Sequence, residues 1–394
     1  MVRNNIMNLL LLPHERKMGG ANKCLYELAC EMKRRGHNVM VTVLFKNCPL
    51  DIELKKVGID TIPTFYGWWQ QPSFWNSTIK VVFEFLHWLE FIPLVRLNRL
   101  VRSKGIDVIY SNTSCIDIGM KLAKKTGVKH VWHFREFGEL DYSLEYMLGR
   151  KKSLGMVAAG TDRIVFISKA LQASYEDLPE NAKNKTVVIY DGVPSENIER
   201  AKIHNIDKKP CIFLVSGNLS QTKNQMMVLE AALKVKNSTD YEFEVWIAGE
   251  SSSLPESKTY KEKLKSFVLA NKLDNVKFLG FVDDMISLRK DVDVEIVPSI
   301  SEAFGRVTVE AMMAHNLVLA SDSGACGELI EDGVTGYLFP KQNTEALAEL
   351  MVKVLSGDVD INKITNSACE VAAKNYTLER NADQLEELFC SLCQ

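Results

Sequence analysis

Short, continuously apolar runs alternate with amphipathic stretches through most of the chain. Ile6–Leu12 reads as a buried strand, Ala21–Arg35 as a helix and Val39–Leu44 as the next strand, with Gly36-His37-Asn38 as the turn between them. Asp107–Ser111, His130–His133 and Arg163–Ile167 continue the series. A second series opens near residue 211, with strands expected at Cys211–Ser216, Glu244–Ala248, Val276–Leu279, Val294–Pro298 and Leu317–Ala320. Helices are expected between them at 225–237, 259–271, 285–290 and 307–315. This alternation predicts an α/β fold with two parallel sheets, each covered by helices on both faces. Strands without a polar face are the kind buried on both sides. The break falls in Val188–Lys209, where Asp191-Gly192-Val193-Pro194 leads into a polar stretch. The expected domains are residues 1–190 and 191–375, with a helical segment over 376–394. In folds of this kind ligands bind outside the carboxyl ends of the strands.

One stretch departs from the rhythm. Residues 65–102 hold Trp68, Trp69, Phe74, Trp75, Phe83, Phe85, Trp88 and Phe91, followed by Arg96, Arg99 and Arg102. Aromatic rings beside cations suit a membrane interface or a lipid-linked acceptor. A core helix preceded by an aromatic loop is the other reading, with Pro93 expected to kink or end that helix.

Composition narrows the class. The chain has 394 residues, 46% of them apolar and 25% charged, which excludes a disordered, collagen-like or coiled-coil protein. Its apolar runs are far shorter than the roughly 20 residues that cross a bilayer. Met1–Leu12 resembles the start of a secretory leader, but Pro13-His14-Glu15-Arg16 stands where a small-residue cleavage site is needed, so none is expected. Nine scattered cysteines fit a reducing compartment, and a cytoplasmic location at or near the inner membrane face is the expectation. Cys390-Ser391-Leu392-Cys393 has a metal-like spacing without a second ligand pair. The net charge of −2 conceals a division: residues 1–192 carry 27 Lys and Arg against 19 Asp and Glu, and the remainder carries 21 against 31. The basic half is suited to anionic lipid or phosphorylated acceptors.

The strongest chemical signal is the run from Pro298 to Met312, in which a strand end passes Ser299-Ile300-Ser301-Glu302-Ala303-Phe304-Gly305 and enters a helix at Arg306. A helix start offers unpaired N–H groups and the positive end of a dipole, which suits a diphosphate. Glu302 and Glu310 are acidic, so they are candidates for sugar and ribose hydroxyls rather than for phosphate.

This passage resembles the Glu-x7-Glu signature of retaining glycosyltransferases of the GT-B fold, most closely glycosyltransferase family 4. The likeness extends through 320–338, Gly19-Gly20, Arg35-Gly36-His37, Asp191-Gly192-Val193 and Gly217 through Lys223-Asn224. The resemblance implies two Rossmann-like domains facing across a cleft, the first for the acceptor and the second for a nucleotide sugar, with the last helix crossing back to the first domain. It implies Glu302, Lys223 and His133 as catalytic residues, and Gly19, Gly20, Gly217, Asn218, Lys223, Phe304, Gly305, Arg306 and Glu310 as donor contacts. Arg135, Glu136, Trp68 and Trp69 are the candidate acceptor contacts. Asn218 stands where the family usually has an arginine, so one of two expected cations is missing unless Arg306 substitutes.

The expected function is retaining, metal-independent transfer from a nucleoside-diphosphate sugar, UDP-sugar favoured, to a glycan or lipid-linked acceptor in polysaccharide or glycoconjugate synthesis. Peripheral contact with an anionic membrane is a further expectation; no cofactor, metal or nucleic acid is expected. Asp291-Val292-Asp293 spells a metal-binding string, but it precedes a strand and has no nearby ligand partner. Other readings are a non-catalytic nucleotide-sugar-binding partner and a nucleotide-sugar 2-epimerase. The absence of a Gly-x-Gly-x-x-Gly fingerprint argues against a dehydrogenase.

Overall fold

The computed structural model describes residues 6–394 except Phe74, Asn76, Arg200, Ala201, Ile203, 205–209, Ser253 and Leu254. Phe74 of the aromatic stretch, residues 1–5 and much of the polar boundary segment therefore lie outside the described residues. The chain forms two compact units: residues 1–192 with 378–394, and residues 193–377.

Unit 1 contains strands β1 (Asn8–Leu12), β2 (Asn38–Val43), β3 (Asp60–Pro63), β4 (Gln70–Pro72), β5 (Val108–Ser111), β6 (Lys129–Phe134), β7 (Leu144–Tyr146), β8 (Arg163–Phe166) and β9 (Thr186–Val188). Its main sheet has the order β3-β2-β1-β5-β6-β8-β9 and is parallel throughout. Alternation along β1 shows why the run is wholly apolar. Leu9 and Leu11 pack with Leu25, Leu28 and Met32 of helix Gly20–Arg34, whereas Leu10 and Leu12 pack with Leu97, Val101, Ile118 and Leu122 on the other face. Helix Leu378–Cys393 adds Ala382, Leu385 and Phe389 to the first of these cores. Arg35 fixes it by bonds to Asp383 (2.6 Å) and Glu386 (2.7 Å).

Unit 2 contains β10 (Cys211–Ser216), β11 (Phe243–Ala248), β12 (Val276–Gly280), β13 (Val294–Val297), β14 (Leu317–Ser321) and β15 (Tyr337–Phe339), in the parallel order β12-β11-β10-β13-β14-β15. Phe213, Val245, Val294 and Leu317 meet in its main core. In each unit the strand order reverses at one point: between β1 and β5, and between β10 and β13. Crevices at such points, outside the carboxyl ends of the strands, are where these sheets bind ligands.

The aromatic stretch forms two helices, Ser77–Trp88 and Phe91–Lys104. The helical stretch is interrupted four residues before Pro93, where a proline can supply no N–H to the Leu89 carbonyl. The break falls at Leu89-Glu90, and Pro93 lies in the first turn of the second helix, where no N–H is needed. The antiparallel pair β4–β7 falls outside the expected pattern.

Candidate functional site

In unit 2 the loops following β10, β13 and β14 are tied to one another. Gly217, directly after β10, has φ +131°, and Gly249 after β11 has φ +153° with so little room that a Cβ there would lie 1.8 Å from the Gly217 carbonyl oxygen. Ser220 caps the short 3-10 turn Gln221–Lys223, and the Ile300 N–H donates to the Thr222 carbonyl (2.8 Å). This joins the Lys223 loop to the loop after β13. There Lys223 Nζ donates to Glu302 Oε2 at 2.6 Å. The Glu302 carbonyl accepts from Ala325 N (2.9 Å), and a Cβ on Gly324 (φ +54°) would come within 2.0 Å of that oxygen. Gly324 is thus required by both its backbone angle and its neighbour.

Gly305 (φ +97°) is the N-cap of helix Arg306–Met313. Buried Phe304 packs edge-on against Tyr376 at 6.0 Å. One turn into the helix, Glu310 Oε2 accepts from Arg289 Nη1 at 2.9 Å, and its Oε1 lies 3.7 Å from Arg306 Nη2. The other edge of Arg289 clasps Glu295 through Nε (2.7 Å) and Nη2 (3.2 Å), and Ser216 Oγ donates to Glu295 at 2.5 Å. Burial alone would depress the Arg289 pKa, but the charges of Glu295 and Glu310 outweigh it and hold the guanidinium above its ordinary value. A line of polar groups thus runs from the end of β10 to Glu310. Sequence reasoning missed Arg289 and Glu295. The available signal was a glutamate inside the apolar run Val294–Val297, since such a group is buried only when paired. Asn218 is exposed and supplies its carbonyl to Gln225 Nε2 (3.0 Å).

Asp291 and Asp293 do not form a pair of open ligands. Asp291 ends helix Met285–Lys290, while buried Asp293 holds the His204 ring (3.0 Å) and the Ile212 N–H (3.1 Å). The Cys390–Cys393 spacing lies on the last helix.

In unit 1 the loop after β1 carries His14 and Glu15. Asn22 Nδ2 shapes it by bonding the carbonyls of Glu15 (3.0 Å) and Lys17 (2.7 Å). Gly19 is the N-cap of helix Gly20–Arg34; a Cβ there would meet only the mobile end of Glu15, and one on Gly20 would meet nothing. Buried Glu136 accepts from Ser114 N (3.2 Å) and Oγ (3.3 Å), and its other oxygen lies 3.9 Å from His14 Nε2.

Three of the expected site residues are buried here. His133, the penultimate residue of β6, is fully buried, with Nδ1 bonded to the Tyr110 hydroxyl and Nε2 without a hydrogen-bond partner. Burial and the charge of Arg135 push its pKa well down, so the ring is neutral. Arg135 is turned inward onto Asp191 and Asn112 rather than outward to a ligand. Trp69 is a core residue, stacked on Trp132 at 5.3 Å with its N–H on the Ser114 carbonyl (2.7 Å). Only Trp68 of the tryptophan pair keeps exposed surface, donating to the His14 carbonyl at 3.0 Å.

Among the described residues, two groups bring metal-ligand residue types together. His14, Cys115 and Glu136 place their ligand atoms within 4.8 Å of one another, but burial pushes the Cys115 thiol well up and keeps it protonated. His87, Glu90 and Asp117 surround a cation already: Lys121 Nζ lies 2.8 Å from Glu90 and 3.0 Å from Asp117.

Two family models divide the chain between them. Residues 18–197 match glycosyltransferase family 4, and residues 196–374 match the glycosyl transferases group 1. The chain belongs to the family 4, group 1 glycosyltransferases. An uncharacterized glycosyltransferase of Methanocaldococcus jannaschii, MJ1178, is 26% identical to this glycosyltransferase over 71% of the chain and 74% of its own length. The lipopolysaccharide 1,2-N-acetylglucosaminetransferase of Salmonella typhimurium is 27% identical, over 57% of this chain and 61% of its own. Among solved structures, Anabaena HepE in complex with UDP superposes with a TM-score of 0.79, at 21% identity, covering 98% of this chain and 100% of that one. The glycosyltransferase therefore has the GT-B fold.

Proposed function

We propose that this glycosyltransferase moves a sugar, with retention of anomeric configuration, from a nucleoside-diphosphate sugar held by unit 2 to a glycan or lipid-linked acceptor held by unit 1. The observation that carries the reading is the Lys223–Glu302 pair set against the start of helix Arg306–Met313. An ammonium and a row of helix-end amides meet the departing diphosphate. Glu302 and Glu310 accept hydroxyl hydrogens from the sugar and the ribose. UDP is the favoured carrier, since the Anabaena protein of like fold was solved with UDP and with UDP-glucose. The Salmonella relative's lipopolysaccharide substrate supports a glycoconjugate acceptor.

Metal independence is supported by the commitments of the acidic groups: Glu302 is bound to Lys223, and Glu310 to Arg289. In the proposed step the acceptor oxygen attacks the anomeric carbon from the side the diphosphate leaves. The bond to the diphosphate oxygen breaks, and that oxygen takes the acceptor's proton. Glu302 then serves as a hydroxyl acceptor and not as a nucleophile.

A panel of UDP-, GDP- and ADP-sugars in thermal shift identifies the donor, because a ligand that binds the folded chain raises its midpoint. Proton NMR of the transferred sugar then reads its configuration. An inverted product, or a sugar trapped on Glu302, overturns the proposed step. Exposed Asn218 in place of arginine favours one second reading, a partner that binds the donor without turnover. Donor binding with neither hydrolysis nor transfer would establish it.

A further inference from the structure

The two helices of the aromatic stretch leave a continuous apolar face open. Val81, Val82, Phe85 and Trp88 of helix Ser77–Trp88, and Phe91, Ile92 and Val95 of the next helix, are all exposed, Trp88 by 67% and Val81 by 61%. Their spacing places them on one stripe of the first helix and at the start of the second. The rings join the two halves: Phe85 stacks on Trp88 (6.0 Å), and Trp88 meets Phe91 edge-on (5.8 Å). Isolated exposed hydrophobics are ordinary, but a connected run of this kind marks an interaction surface.

The stripe turns basic without leaving its face. Along helix Phe91–Lys104 the exposed positions continue from Ile92 and Val95 to Arg96, Arg99 and Arg102, and Lys104 follows. Over 77–104 five Lys and Arg stand against two acidic residues, exposed Glu84 and buried Glu90, the latter paired with Lys121. A protein partner would need matching acids; a bilayer with anionic headgroups satisfies both halves at once. Apolar rings enter the headgroup boundary while guanidinium groups meet phosphate.

We infer that this face docks the glycosyltransferase on an anionic lipid bilayer through Phe85, Trp88, Phe91 and Ile92, with Arg96, Arg99 and Arg102 at the headgroups. The patch is coupled to the loop after β1. Glu90, between the two helices, accepts from Gly67 N (2.9 Å), and on the same segment Tyr66 donates to the Pro13 carbonyl (2.6 Å) and Trp68 to that of His14 (3.0 Å). Docking therefore brings that strand-end loop close to lipid-borne molecules, whichever sugar and nucleotide the enzyme uses.

Co-sedimentation of the full chain with vesicles tests this, without donor or acceptor. The chain is expected to bind phosphatidylcholine–phosphatidylglycerol vesicles and to bind pure phosphatidylcholine much more weakly. Trp88→Ser with Phe91→Ser should reduce partitioning by at least about tenfold, and Arg99→Ser with Arg102→Ser by about fivefold per charge. Both pairs lie on the surface, so unchanged thermal midpoints confirm that each variant folds. Failure to bind anionic vesicles, or equal binding by wild type and both variants, overturns the inference. So does a dimer, seen by light scattering, that the Trp88 variant dissolves while vesicles are ignored.

Discussion

Arg289 hydrogen-bonds Glu310 at 2.9 Å while holding Glu295, a carboxylate without exposed surface, on its opposite edge. The proposed ribose contact is thus aimed from beneath by a buried cation. Replacing Arg289 by Leu leaves Glu295 as an uncompensated buried charge, at an expected cost of about 3–5 kcal/mol. Urea unfolding should show this loss, and a Glu295→Gln change on top of it should restore much of the stability.

Glu310→Ala is expected to weaken donor binding by about 10- to 100-fold, the loss of one or two charge-assisted hydrogen bonds. Titration calorimetry with the donor nucleotide measures this. An unchanged dissociation constant would remove Glu310 from the ribose position.

Lys223→Ala should lower kcat/KM by two to three orders of magnitude, about 3 kcal/mol at the transition state. Lys223→Arg keeps the charge facing Glu302 and should recover part of the activity. Near-normal turnover in the alanine variant would assign the role to another cation, with Arg306 the first to test.

Gly324→Ala combines a left-handed backbone angle (φ +54°) with a clash against the Glu302 carbonyl. A cost of about 1–3 kcal/mol is expected. Donor affinity should fall with it, because the shift displaces the loop carrying Glu302. Thermal melts with and without nucleotide separate the two effects.

Burial, aided by the charge of Glu136, raises the Asp141 carboxyl to about 7 from an ordinary 3.8. The folded state favours the protonated form, so this contribution is complete below pH 3.8 and is lost as pH rises through 7. Asp141→Asn should therefore melt at the same temperature as wild type near pH 4 and higher at pH 8. A gap that stays constant across this range would contradict the assignment.

The strand at Cys211–Ser216 and the helix at Met285–Lys290 were legible residue for residue, the first because Pro210 and Gly217 bound a short apolar run and the second because Asp284 marks its N-cap. The loop from Pro298 to Gly305 was legible as local structure, since a strand, a glycine turn and a helix in succession have few geometries. His133 and Trp69 were legible in place but not in orientation, because a residue's position along a strand or loop does not state which way its side chain turns. Both turn inward, His133 to Tyr110 and Trp69 to Trp132. Arg289 and Glu295 were hidden because their partnership exists only across neighbouring elements. The open face at 81–95 was ambiguous, because a stripe for a core and a stripe for a surface have the same spacing.

The placement of Ala382, Leu385 and Phe389 in the core of unit 1 sets an order of events on the ribosome. Residues 1–192 emerge early, yet one wall of their interior arrives only after the whole of 193–377 has been translated. Until then Leu25, Leu28 and Val41 belong to an interior without its final helix, and unit 1 completes its core only when the last residues are made.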